Sequence, residues 1–134
     1  MRLSTDDDAD EERALATVAA AVDAGITVFD TARGYGDNEA LLARGLRGVD
    51  RARIVTKGGM SRESGRWIPD GRAKTIRADC EASLAALDGL PIDLYLVHVP
   101  DPRTPWRTTV RALARLVDEG LVQRVGLSNV NRAQ

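Results

Sequence analysis

Two rhythms of apolar positions alternate along the chain. Leu15, Val18 and Val22 recur at helical spacing between Asp10 and about Ala24. Asp10, Glu11 and Glu12 stand where a helix N-terminus favours acids, and Gly25 stands where a helix ends. The run Ile26-Thr27-Val28-Phe29-Asp30 that follows is β-branched and aromatic, which predicts a short strand. A second helix is predicted from Asn38 to Arg47 through Leu41, Leu42 and Leu46, and a second strand over Arg53-Ile54-Val55-Thr56-Lys57. From Arg72 to Leu87 the residues Ile76, Cys80, Leu84 and Leu87 share one helical face, so Cys80 is expected in the core. The third strand, Ile92 to His98, is apolar on both faces after Asp93, as a strand covered on both sides should be. Thr104 is expected to cap a helix that opens at Pro105, runs to about Glu119 and stops at Gly120. A fourth strand, Val122 to Leu127, leads into Ser128-Asn129. Between the second strand and third helix, Gly58, Gly59, Gly65, Pro69 and Gly71 predict a long loop, a feature often functional in compact domains.

Strands joined in turn by helices predict an α/β fold in which right-handed crossovers build a parallel sheet. No linker or composition break divides the 134 residues, so a single domain over 1–134 is expected. A hydrophobic share of 43% beside a charged share of 29% fits a folded soluble chain. A net charge of -1 removes the simplest reason to expect nucleic acid or anionic lipid as a partner. One Cys and one His exclude a disulfide framework and every zinc pattern built from paired Cys and His, so no metal is expected and a reducing compartment is. The start turns acidic at Asp6-Asp7-Asp8, where a secretory signal turns apolar, and no apolar run approaches the ~20 residues that span a bilayer. A cytoplasmic location is therefore expected. The 17 Arg against 2 Lys suggest a GC-rich genome, and a bacterial source is expected.

Every predicted strand ends on a polar group: Asp30, Lys57, His98, and then Ser128-Asn129. Parallel α/β proteins build their sites at the carboxyl ends of strands. Taken singly, each residue has a bland explanation: a turn cap, a lysine reaching for solvent, an edge histidine, the start of a helix. Together they bring an acid, a base and the single histidine to one rim. Tyr35, between Gly34 and Gly36 in the turn after Asp30, joins that rim or else lies over a helix. A phenol, with an ordinary pKa near ~10, is a poor proton donor at neutral pH. A neighbouring ammonium stabilises its phenolate, and a carboxylate beside the ammonium keeps it charged and oriented. An imidazole nearby holds a carbonyl oxygen against the phenol. The set suits carbonyl reduction without a metal or an acyl-enzyme.

These residues resemble motifs of the aldo-keto reductases, nicotinamide-dependent enzymes on a (β/α)8 barrel. Asp30-Thr31-Ala32-Arg33-Gly34-Tyr35-Gly36 resembles the segment carrying that family's catalytic aspartate and tyrosine. Val55-Thr56-Lys57 resembles the strand of the catalytic lysine, and Asp93 to His98 that of the histidine. Gly126-Leu127-Ser128-Asn129 is similar to the segment whose Ser and Asn bind the nicotinamide carboxamide. The resemblance implies that NADPH, with NADH not excluded, delivers hydride to an aldehyde or ketone. It implies that Tyr35 donates the proton, Lys57 lowers its pKa, Asp30 fixes Lys57, and His98 orients the carbonyl. Ser128 and Asn129 are then the cofactor-binding residues.

A barrel of this type has eight strands in about 250 residues. The resemblance therefore implies a partial (β/α)8 barrel, roughly strands two to five, with Met1 to Thr5 as the tail of the first and the chain a fragment. In the family, most contacts to the pyrophosphate, 2′-phosphate and adenine lie in the other half. The catalytic residues are thus expected without high-affinity cofactor binding. Two further readings stand beside the reductase: a non-enzymatic half-barrel that self-associates through exposed strand edges or binds a partner, and a Schiff-base aldolase using Lys57. Tyr35 and Ser128-Asn129 speak against the aldolase.

Overall fold

The structure, a computed structural model, describes residues 8–132; the segment Met1 to Thr5 lies outside them. In chain order the elements are α1 (Asp8–Asp23), β1 (Val28–Asp30), α2 (Asn38–Gly45), β2 (Arg53–Gly58), β3 (Met60–Glu63) and β4 (Arg66–Pro69). They continue with α3 (Ala73–Ala86), β5 (Ile92–Val97), α4 (Trp106–Asp118) and β6 (Val125–Leu127). Strands β1, β2, β5 and β6 form one sheet in that order, and every pair in it is parallel. Successive neighbours joined by helices make this a four-stranded part of a (β/α)8 barrel.

Side chains alternate across a strand, and register partners in a parallel pair share a face. Phe29, Ile54, Tyr95 and Val97 therefore point to the helical side, where they meet Leu41, Leu42, Leu46, Ile76, Cys80, Leu113 and Leu116 in one buried cluster. In α4 the buried positions Thr109, Ala112, Leu113 and Leu116 repeat at helical spacing. The other face carries Val28, Val55, Leu94 and Leu96, which lead towards Asp30 and Lys57. It is only partly covered: Val28 is 57% exposed and Ile26, just before it, 48%. Strands β1 and β6 are the sheet's two edges among the described residues.

Asp93 is buried in the middle of this sheet for a local reason. The β2–β5 register shifts between Ile54 and Val55, leaving one ladder amide unpaired, and the Asp93 carboxylate accepts that amide, Ile54 N, at 2.9 Å. Arg53 stands beside it, Nε to Oδ1 3.5 Å.

Three expectations are corrected. The stretch between Gly58 and Gly71 is a two-stranded antiparallel hairpin, β3 paired with β4, rather than a loop. Its turn residues Ser64 and Gly65 both have positive φ, 47° and 80°, the requirement of the tight turn whose twist matches a hairpin. The glycines signalled a turn, but short polar strands lack the apolar alternation that reveals a buried one. Thr104 is not a helix cap. Helix α4 starts at Trp106 without a side-chain cap, and the Thr104 hydroxyl donates instead to Asp101 Oδ2 at 2.8 Å. A buried carboxylate competes better for that hydroxyl than helix amides that reach water. The first and fourth strands are also shorter than expected, Val28–Asp30 and Val125–Leu127, although Thr27, Gln123 and Arg124 just before them already make backbone hydrogen bonds to the neighbouring strands.

Cys80 is fully buried, and burial pushes its thiol up to about 11. The native chain should accordingly react with Ellman's reagent only as fast as it opens, and immediately in denaturant. A fast stoichiometric reaction without denaturant would place Cys80 outside the core.

Candidate active site

The sheet's register gathers the predicted polar residues at one rim. Asp30 pairs with Val55, so it shares the inner face with Lys57 two residues further along β2. The ladder continues past β1 through Thr31 N to Val55 O, 2.8 Å, and past β5 through His98 N to Gly58 O, 2.9 Å. It continues past the last strand pair through Ser128 N to Val97 O, 3.0 Å. These extra rungs hold each strand end rigid where its functional side chain begins.

Lys57 is 7% exposed, and its ammonium donates to Asp30 Oδ1 at 2.5 Å and to the Thr31 carbonyl at 2.8 Å. A buried ammonium needs such partners, because desolvation without them is costly. Tyr35 ends a short 3-10 turn over Arg33–Tyr35, tied by Tyr35 N to Ala32 O at 3.0 Å. That turn brings its ring to 5.9 Å from Lys57 Nζ, measured to the ring centroid, and to 5.6 Å from the His98 ring, edge to face. The carboxylate, ammonium, phenol and imidazole are thus one contiguous cluster.

His98 is buried, and its Nδ1 has no hydrogen-bond partner among the described residues. A buried N–H without an acceptor is rarer than an unused acceptor, which favours the tautomer protonated on Nε2, a form able to donate to an oxygen. Burial lowers the His98 pKa, the nearby Lys57 charge lowers it further, and Asp30 works in the opposite direction. Asn129 has φ 55°, a left-handed conformation that Asn tolerates, and this turns its Nδ2 onto the His98 carbonyl at 2.9 Å. Nδ2 also lies 3.3 Å from Ser128 Oγ. Ser128 and Asn129 therefore sit beside the histidine, above the open inner face.

Two participants escaped sequence reading. The Thr31 carbonyl is invisible to it because the contact is made by backbone. Trp67, on the hairpin, has its indole 6.4 Å from the Tyr35 ring and 6.2 Å from the His98 ring. Gly34 makes this approach possible: a Cβ there would lie 2.9 Å from Trp67 Cζ3. The Gly-Tyr-Gly turn was legible, but its partner lay in a segment read as loop. The hairpin's base is fixed by Asp101, whose Oδ2 accepts Gly71 N at 3.1 Å, and by the Arg103 guanidinium on the Pro69 carbonyl. Burial alone would raise the Asp101 pKa, but hydrogen bonds from the Arg103 and Gly71 amides and from Thr104 hold it at about 2. A cleft of about 600 Å³ lined by Arg33, Arg62 and Asp79 contains none of the rim residues.

A parallel α/β half-barrel with an acid, ammonium, phenol and imidazole at its carboxyl rim defines a class of site suited to proton transfer at a carbonyl. The aldo/keto reductase family model matches residues 1–134, and the chain belongs to that family. It is 32% identical over 130 residues to the aldo-keto reductase YhdN of Bacillus subtilis, covering 93% of this chain and 39% of that protein. Among solved structures it resembles the holo form of the aldo-keto reductase AKR11C1 from Bacillus halodurans, with TM-score 0.83 and 30% identity. That match covers 96% of this chain and 44% of the other. It also resembles an aldo-keto reductase from Klebsiella pneumoniae in complex with NADPH, with TM-score 0.77, 29% identity, and coverage of 95% and 43%. The chain thus spans less than half the length of these relatives.

The single histidine gives a clean test. Its NMR titration should have a midpoint below the ordinary histidine value near ~6.5, and Asp30→Asn should move it lower still. Because the unfolded state binds the proton more readily, the His98 contribution to stability is complete above the unfolded pKa. It is lost as pH falls from there towards the folded value. A midpoint at or above the ordinary value would contradict the buried, Lys57-facing placement.

Proposed function

We propose that this chain reduces an aldehyde or ketone to an alcohol with NADPH, using Tyr35, Lys57, Asp30 and His98 as the catalytic residues. The observation that carries the reading is the Lys57 ammonium, held by Asp30 and the Thr31 carbonyl over the Tyr35 ring at 5.9 Å from its centroid, with the His98 ring 5.6 Å from the same phenol ring. The Klebsiella pneumoniae relative, solved in complex with NADPH, supports the cofactor. The donor set fits it: the Ser128 hydroxyl and the Asn129 amide match the donor and acceptor of a nicotinamide carboxamide and stand beside His98. When bound, the cofactor supplies a hydride to the carbonyl carbon and leaves oxidised.

The chain's own residues then handle the oxygen. His98 Nε2–H holds the carbonyl oxygen, Tyr35 transfers its phenolic proton to that oxygen as the new C–H bond forms, and solvent returns the proton to Tyr35. Lys57 stabilises the negative charge left on the phenolate oxygen, and Asp30 keeps the ammonium in place. Trp67 closes one side of the substrate space. Ser128 and Asn129 orient the carboxamide, so that one face of the nicotinamide meets the substrate.

The chain acts as one domain corresponding to about barrel strands two to five, in a reducing, cytoplasmic compartment, with a small carbonyl compound as partner and neither nucleic acid nor membrane. No helix among the described residues is long and apolar enough to cross a membrane. A second reading, self-association through strand edges, is favoured by the exposed Val28 and by the place of β1 and β6 at the two edges of the sheet among the described residues.

With millimolar NADPH and a panel of aldehydes, the chain should oxidise the cofactor, and Tyr35→Phe should lower turnover at least about 100-fold while leaving cofactor affinity unchanged. Equal turnover in that variant removes Tyr35 from the mechanism. Sedimentation of the same samples separates the two readings: a stable dimer that never consumes NADPH supports the second against the first.

A further inference from the structure

The first turn of α2 buries two polar side chains, Asn38 and Glu39, each 1% exposed, where an amphipathic helix normally places apolar residues. Each meets a fully buried threonine. Thr31 Oγ1 donates to Asn38 Oδ1 at 3.2 Å, and Thr56 Oγ1 donates to Glu39 Oε1 at 2.6 Å. Thr31 directly follows Asp30 and supplies the carbonyl that receives the Lys57 ammonium; Thr56 directly precedes Lys57. The same helix begins three residues after Tyr35. One helical turn is therefore attached to both strands whose ends carry the ion pair, and by its own chain to the phenol.

An apolar contact at this place would tolerate sliding of the helix along the sheet, whereas a hydrogen bond accepts only a narrow range of positions. The arrangement also carries a cost that packing does not require. Glu39 Oε2 is buried with no hydrogen-bond partner among the described residues, an unfavourable state for a carboxyl oxygen and one that asks for an explanation.

We infer that Glu39 and Asn38 are positioning residues. Through Thr56 and Thr31 they fix α2 against β2 and the end of β1, and so set the place of the Lys57 ammonium between Asp30 and Tyr35. This deepens the reductase reading and rests on it for the importance of Lys57. Its test needs neither cofactor nor turnover, so the two can fail separately.

The chain has only two lysines, Lys57 and Lys74, and Lys74 is exposed on α3, so it serves as an internal standard. Limited acetylation of the whole chain, read by mass spectrometry, gives the ratio of Lys57 to Lys74 modification. Thr56→Val keeps the branched shape and removes the donor, and it should raise that ratio about tenfold by releasing the amine. Thr56→Ser keeps the donor and should stay near the wild-type ratio. Ile92→Val, a buried core change at the far end of β5, should lower stability while leaving the ratio near wild type. An unchanged ratio in Thr56→Val, or an equal rise in Ile92→Val, overturns the inference. Should Thr56→Val not fold, Thr31→Val cuts the Asn38 arm alone. It should raise the ratio in the same direction, and an unchanged ratio there overturns the inference equally.

Discussion

The contact between Lys57 and Asp30 is the interaction on which the rest of the rim depends. An ammonium that is nine-tenths withdrawn from water is tolerable only if it finds acceptors, and here a carboxylate and a backbone carbonyl take two of its three hydrogens. Both acceptors lie at the end of β1 while the lysine belongs to β2, so the pair can form in only one register of those strands. A slip by one residue would turn Asp30 to the helical side and leave Lys57 facing apolar neighbours. Correct strand pairing and the charged centre of the site are thus one condition. The proximity of Tyr35 and His98 to that ammonium follows from the same register, since His98 extends the adjoining β2–β5 ladder.

Around this centre the polar interior is organised by carboxylates that collect amide donors. Asp93 takes the amide freed by the irregularity between β2 and β5, and Asp101 gathers donors from three directions and anchors the hairpin that carries Trp67. Asp101 thereby helps to place Trp67 against the Tyr35 and His98 rings, while Asp93 acts on the β2–β5 register. The inner face below the rim shows the opposite character. Among the described residues, Val28, Val55, Leu94 and Leu96 form an incompletely covered apolar surface between the two edges of the sheet. In relatives more than twice as long, the chain continues well beyond the equivalent of this sheet.

The residues that the sequence made legible are those whose type alone states a chemistry. Asp30, Lys57 and His98 end apolar strands, and the structure places them together because strands in this topology deliver their ends to one side. The four parallel strands could be read because buried strands are apolar and β-branched. The hairpin could not: Arg62, Glu63, Arg66 and Trp67 are exposed, and an exposed ribbon is held by its turn and its backbone ladder rather than by a hydrophobic pattern. Thr104 misled because a threonine before a proline has the local form of a helix cap, while its actual partner, Asp101, wins by being buried and charged. The Thr31 carbonyl and the pairs made by Asn38 and Glu39 depend on contacts between distant segments, which no local spacing announces.

If the rim cluster reduces carbonyl compounds, the hydrogen that reaches the carbonyl carbon must come from C4 of the nicotinamide, while the one on oxygen exchanges with water through Tyr35. NADPH deuterated at C4 on the transferred face, incubated with the chain and an aldehyde, tests this directly by mass spectrometry of the alcohol. The account predicts one deuterium at the carbinol carbon and none retained on the exchangeable oxygen. An alcohol carrying only protium at that carbon, or no alcohol at all with saturating cofactor, would contradict it.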